Sequence, residues 1–310
     1  MNAPLGRDGV ARVHVTASYN LIQHNNLNTI NMENTIYPCI WFDNNAAEAA
    51  RFYCSVFKDS EIIDENHFVV TFKSSGNKFI CLNGGPQFSP NPSISFYVVC
   101  ETKDEVDDYW KKLTENGTEM MPLDSYPWSE RYAWVQDQYG VTWQLSYGRL
   151  EDVGQKFTPT LMFTESRAGK AEEAIDFYTS VFAPSSVVGI ARYEEGEGDK
   201  VGLVKHAQFK LGNSVIMAMD SSITHGFAFS EGISLVVECD TQDQIDHFWT
   251  KLSEGGWEDR CGWLKDRYGV SWQVIPTVLS QLVNDPERSQ RVVEAFMKMK
   301  KFEIDKLLEA

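Results

Sequence analysis

Asp220, Ser221 and His225 follow the apolar run VIMAM, and Cys261 opens a later segment rich in aromatics. A thiol beside an imidazole, with a carboxylate behind it, has the make-up of an activated nucleophile. The same residues also read as a buried thiol, an exposed loop histidine and a turn-forming Asp-Ser pair. A second set joins rings to amides: Trp41, Trp134, Trp143, Trp263 and Trp272 with Asn83, Gln144 and Gln273. Rings of this size can wall a cup while an amide orients a polar ligand, or they can simply fill a core. Trp272 and Gln273 are adjacent on one strand-like run. They point to opposite faces, so at most one of them lines a cup.

Most of these residues occur in twin strings. WVQDQYGVTWQ (134–144) is answered by WLKDRYGVSWQ (263–273), RFYCSVF (51–57) by DFYTSVF (176–182), and SFYVVCET (95–102) by SLVVECDT (234–241). Their order is kept while their spacing drifts, which marks two diverged copies of one domain with loop insertions. The set Asp220, His225 and Cys261 breaks the symmetry. Copy one carries Asn83, Gln87 and Ala133 at roughly those places.

Each copy divides into two halves with one grammar: strand, helix, further strands. YPCIWF (37–42) is strand-like, and Asn45 and Glu48 have the spacing of a helix cap. Ala49, Phe52, Tyr53 and Val56 then form one apolar stripe. In the second half Thr102 and Glu105 make a capping box before Val106, Tyr109, Trp110 and Leu113, and Asn116-Gly117 stops that helix. Copy two repeats this with Ala174, Phe177, Tyr178 and Val181, then with Thr241 and Gln244 before Ile245, Phe248, Trp249 and Leu252. Asp137 and Asp266 precede the hairpin turns and are expected to accept backbone N–H bonds there. Beyond Pro276, Asp285-Pro286 reads as the start of a helix with Val292, Val293, Phe296 and Met299 on its apolar face.

The net charge of −16 disfavours a sequence-independent grip on nucleic acid or an anionic membrane. No apolar run reaches the roughly 18–20 residues that span a bilayer. Cys39, Cys54, Cys81, Cys100, Cys239 and Cys261 contain no CxxC pair and sit in apolar segments, as reduced thiols of a cytoplasmic protein do.

Tandem pairs of βαβββ units, FY late in each first helix and D-x-x-G before the last strand resemble the vicinal oxygen chelate (glyoxalase/bleomycin-resistance) superfamily. LNGGP (82–86), CGWLKDRYGVSWQV (261–274) and MKMKKFEIDKL (297–307) are similar to its PhnB-like branch, often labelled demethylubiquinone methyltransferase-like. The resemblance implies an α+β fold: tandem glyoxalase-like domains, each of paired βαβββ units forming a curved open barrel, plus C-terminal helices. The expected parts are a polar, disordered extension at 1–34, domains at 35–150 and 155–276, and a helical tail at 277–310.

The resemblance also implies metal ligands from the first and last strands of each half. Matched position by position, these fall on Pro38 and Pro159, near Cys81 and Met217, near Ser93 and Gly232, and on Gln144 and Gln273. One amide oxygen per domain is too weak to hold a divalent cation, so no metal is expected. No Gly-rich loop joins a strand to a helix in the manner of an adenosyl-cofactor site, so no cofactor is expected either and the methyltransferase label finds no support. The expected partner is a small-molecule ligand. Other readings are a lyase, isomerase or thiol-dependent enzyme acting through the second domain, and a structural or regulatory protein with filled cups. The copies are expected to form an intramolecular pseudo-dimer, with a further homodimer as the alternative. Barrels of this superfamily close either within a copy or by exchange of halves; exchange would set LNGGP against CGWL and make the two cups differ.

Overall fold

The structure is a computed structural model, and it describes residues 36–310. The extension expected at 1–34 lies outside the described residues. The first half of copy one comprises β1 (Tyr37–Phe42), α1 (Ala46–Val56), β2 (Ser60–Glu65), β3 (Val69–Ser74) and β4 (Asn77–Asn83). Its second half comprises β5 (Ile94–Cys100), α2 (Lys103–Thr114), β6 (Thr118–Tyr126), β7 (Ser129–Gln136) and β8 (Thr142–Tyr147). A turn of helix, α3 (Leu150–Val153), occupies the linker. Copy two follows with β9 (Phe157–Phe163), α4 (Ala171–Val181), β10 (Ser185–Arg192), β11 (Val204–Leu211) and β12 (Ser214–Asp220). Its second half is β13 (Ile233–Cys239), α5 (Gln242–Ser253), β14 (Trp257–Glu258), β15 (Trp263–Lys265) and β16 (Ser271–Pro276). The tail forms α6 (Leu279–Val283), α7 (Ser289–Phe296) and α8 (Ile304–Glu309).

The strands build two eight-stranded sheets, and neither sheet belongs to one copy. The terminal sheet runs β14-β15-β16-β13-β1-β4-β3-β2, and the central sheet runs β10-β11-β12-β9-β5-β8-β7-β6. Each joins the first half of one copy to the second half of the other. The seams are antiparallel: Tyr37 pairs with Val236 and Cys39 with Ser234 in the terminal sheet, and Thr160 pairs with Ser95 in the central one.

Alternation along the strands gives each sheet a core face and a cup face. Ile36, just before β1, and Ile40 and Phe42 on it join the main core, while Tyr37 and Cys39 gather separately with Val236, Ile80, Leu82 and Ile275. The core faces carry the helices and meet each other. Trp143 of the central sheet lies 5.3 Å from Tyr53 and 4.7 Å from Phe57, at the end of the helix of the terminal sheet. Trp272 of the terminal sheet lies 5.4 Å from Tyr178 of α4, which packs on the central sheet. The repeated FY and DxxGVxW strings are therefore the two sides of one inter-sheet core.

Capping follows the expected pattern in the second halves. Thr102 accepts from the Glu105 amide and Thr241 from the Gln244 amide. In the first half of copy one it differs. Asn45 makes no side-chain cap bond, and Asn83, at the end of β4, accepts from the Ala46 amide instead. The helix expected from Pro286 starts at Ser289, after Asp285 has accepted from the Glu287 amide.

The last hairpin of copy two is cut short. β6 and β7 have 9 and 8 residues, whereas β14 and β15 have 2 and 3. The tail covers the vacated edge: the Cys261 and Gly262 amides donate to Met299 and Lys300 carbonyls at 2.9 and 2.8 Å. Asn284, also in the tail, donates to Asp64 at the opposite edge of the same sheet at 3.1 Å.

Candidate functional site

The exchange of halves makes both cups composite. In the terminal cup, Trp41 of copy one meets Trp263 of copy two at 5.9 Å between ring centroids, and Phe88 at 5.0 Å. Trp41 lies flat on Gly84, where any Cβ would stand 2.0 Å from the ring, and its Nε1 donates to the Gly85 carbonyl at 2.7 Å. Glycine is thus required for this close approach. Beside the rings, Gln273 donates to Ser234 at 2.9 Å, and Cys39 faces the same pair with its thiol pushed up to about 12 by burial.

One end of the terminal cup holds a polar triad. Tyr37 donates to Glu238 at 2.6 Å, and Lys78 donates to Glu238 at 2.7 Å and to the Tyr37 oxygen at 3.1 Å. Burial first, then Glu238, holds the Tyr37 phenol well above its ordinary value. The repeat gives no hint of this triad, because its counterparts in the central cup are Thr158, Val215 and Val99.

The central cup takes Gln144 between Tyr132, which donates to its oxygen at 3.0 Å, and Ser95, which accepts from its amide at 2.8 Å. Trp134 is on the same face as Gln144. Trp134 Nε1, Thr142 Oγ1 and Thr158 Oγ1 are buried there without a hydrogen-bond partner among the described residues, as is Ser271 Oγ in the terminal cup.

Several expected site residues stand elsewhere. Trp143 and Trp272 are fully buried on the core face, and each indole N–H donates at 2.8 Å to an aspartate, Asp137 or Asp266. They are inter-sheet packing, since an indole of that size needs a fixed partner for its one polar atom. Asn83 is a helix cap, its amide also donating to the His67 carbonyl. Pro38 and Pro159 also lie on the core side, lining a small cleft with Phe79, Phe96 and Phe157. The cup positions on those strands are Cys39 and Thr160, one residue further on.

Asp220, His225 and Cys261 do not form a nucleophile. Asp220 is the twin of Asn83: it accepts from the amides of Gly169, Ala171 and Val204 at 2.8–3.1 Å. His225 shares a 2.8 Å bond with Ser221, which donates to Asp199. Cys261 touches the Phe296 carbonyl and the Met297 sulfur of the tail, and burial raises its thiol, which is opposite to the shift an attacking thiolate needs.

Asp137 and Asp266 accept backbone N–H bonds as expected: Tyr139 and Val141 for the first, Tyr268 and Val270 for the second. Burial, opposed by the Trp143 indole and the turn amides, pushes the Asp137 carboxyl up to about 6. A carboxyl raised in the folded state takes up its proton before the unfolded chain does. Its stability contribution therefore grows as pH falls from about 6 toward the ordinary aspartate range, and is lost again as pH rises through 6. A carboxyl carbon resonance titrating near 6 is the expected result; titration near the ordinary value would contradict it.

Neither implied group fits the residues present. Around the cup centres stand Cys39, Ile80, Ser234 and Gln273 in one sheet, and Thr160, Met217, Ser95 and Gln144 in the other. Among the described residues no group of three or more His, Cys, Asp or Glu could hold a metal ion. Hard divalent cations need several oxygen or imidazole ligands that these sets lack. For a nucleoside cofactor, β1 passes to α1 through Asp43–Asn45 without a glycine, and Asn83 already occupies the helix start. No helix among the described residues is long and apolar enough to cross a membrane.

A family model described as 3-demethylubiquinone-9 3-methyltransferase matches residues 34–146 and again 155–275. Among solved structures, the PhnB protein of Bacillus cereus is 35% identical over 36% of this chain and 98% of its own, with a TM-score of 0.34. Glyoxalase I from Zea mays is 10% identical, covers 81% of this chain and 95% of its own, and has a TM-score of 0.51, which is a likeness of fold. A comparison with curated proteins finds no match.

Proposed function

Because the chain belongs, in both of its copies, to the family described as 3-demethylubiquinone-9 3-methyltransferases, within the glyoxalase-like fold, we propose that it binds a small polar molecule in its composite cups without a divalent metal. The observation that carries this is the set of buried polar atoms without partners on the cup faces: Trp134 Nε1, Thr142 Oγ1 and Thr158 Oγ1 in one, Ser271 Oγ in the other. Leaving such an atom unpaired costs about 1–3 kcal/mol, which a ligand or ordered water returns. Aromatic walls beside amide–hydroxyl pairs suit a flat molecule with both donors and acceptors. Methyl transfer is not part of this reading, since nothing among the described residues fits the methyl donor. The six free thiols suit a reducing, cytoplasmic setting.

Native mass spectrometry of protein taken directly from cells tests the proposal. The expected spectrum shows an added organic mass that Trp134→Phe weakens by roughly 10-fold, as loss of one buried hydrogen bond would. The exposed Trp128 serves as control, and Trp128→Phe should retain the mass. Protein without added mass, and without a thermal shift against a metabolite panel, would sink the reading in favour of filled, structural cups.

A further inference from the structure

The two cups also differ on three neighbouring strands, away from the Tyr37 triad. On the central sheet, β11, β12 and β9 bring His206, Met219 and Met162 into one row. Ala207 pairs with Ala218, which sets His206 beside Met219, and Met219 pairs with Met162. Met217 lies two residues before Met219 and hence on the same face. Their strand neighbours Ala207, Ala218 and Leu161 all belong to the main core, so these four side chains face the cup. In the terminal cup the same positions carry Val69, Leu82, Trp41 and Ile80.

That contrast is an internal control. At these places the terminal cup has three aliphatic side chains and the Trp41 ring, none of them a metal ligand. In the central cup, all four positions carry a thioether or an imidazole. Met162 and Met217 are buried, His206 and Met219 are partly open, and no hydrogen bond to the His206 imidazole is found among the described residues. Adjacent strands stand about 4.8 Å apart, so neighbouring side chains of this length can converge on one point above the sheet. Thioethers are soft and polarizable ligands, and with imidazole they select a soft monovalent cation over hard divalent ones.

We propose that His206, Met162, Met217 and Met219 form a binding site for one soft monovalent metal ion, Cu(I) or its analogue Ag(I), in the central cup. The site is separate from the partnerless atoms that support ligand binding. It is also distinct in chemistry from the divalent centre the fold could have carried.

The test is an anaerobic titration of the whole chain with Cu(I) held by a chromophoric chelator. The partly exposed thiols are first removed as Cys54→Ser and Cys261→Ser, since thiolates would also bind the ion. One equivalent should be withdrawn from the chelator. The double variant His206→Val with Met219→Leu copies the residues of the terminal cup, and should lose roughly 100-fold or more in affinity, beyond the range for outer-shell groups. Equal uptake by the variant, or none by the parent, overturns the proposal. A second readout uses the unaltered fold: with methyl-labelled methionine, Ag(I) should move the resonances of Met162, Met217 and Met219. Movement confined to Met297 and Met299, beside Cys261, would equally overturn it.

Discussion

A chain divided at Gly154 should yield two fragments, neither of which is a folded monomer. Each fragment holds one sequence repeat, yet each owns only half of either sheet. The first fragment loses β13 from β1 and β9 from β5, seams of four and five paired residues. It is left with two unpaired edges at the centre of what were eight-stranded sheets, and such edges recruit other strands. Its Trp143 would lose Phe157, and Phe79 would also lose that ring. The expected result on mixing the fragments is a one-to-one complex with the circular dichroism of the intact chain. Alone, each should sediment as a self-paired or aggregated species. A first fragment that is monomeric and cooperatively folded would show that the exchanged arrangement is not the one adopted.

Asp266→Ala and Trp272→Ala should each destabilise the protein by about 3–5 kcal/mol, read as a lower urea midpoint. Asp266 is buried and takes hydrogen bonds from Tyr178 at 2.7 Å, from Trp272 at 2.8 Å, and from two turn amides. Tyr178 belongs to the helix on the central sheet, and Asp266 to the turn of the terminal one. This carboxylate therefore ties the two sheets together. Removing it leaves an indole N–H, a phenol and two amides buried without an acceptor. Removing Trp272 opens a cavity between Tyr178 and Phe182. Because the two side chains share a bond, the double variant should cost clearly less than the sum. Full additivity, or single effects below about 1 kcal/mol, would contradict the inter-sheet role.

What was legible in the chain was local or repeated. The stripe Ala49, Phe52, Tyr53 and Val56, the capping boxes at Thr102 and Thr241, and the turn role of Asp137 and Asp266 all follow from spacing within a few residues. The pairing of Trp41 with Trp263 does not, because it depends on strands that meet across most of the chain; the repeat alone allowed both closures. A shift of one residue moved the first-strand position from Cys39 to Pro38, and in a strand one residue is the difference between cup and core. The cap at Asn83 was missed for a similar reason. Asn45 has the correct local spacing, but a residue from β4 reaches the same amide. Tyr37, Lys78 and Glu238 lie on three strands, so no sequence window contains them. The methionines were hidden in two apolar runs, where methionine is the ordinary filler, and His206 in the mixed strand VKHAQFKL, so no one window joins them.

The two sheets also differ in when they can exist. The central sheet uses only β5 to β12, an unbroken stretch of chain, and can close as soon as that stretch has left the ribosome. The terminal sheet is made from the beginning and the end. Tyr37 must wait for Glu238, 201 positions later, which at 5–20 residues per second is a delay of roughly 10–40 s. During that interval β1 to β4 present a bare hydrophobic edge in a crowded cell. Newborn chains from one message stand in the same state together, so they are most exposed to pairing with one another, and the first half is where a chaperone has most to protect.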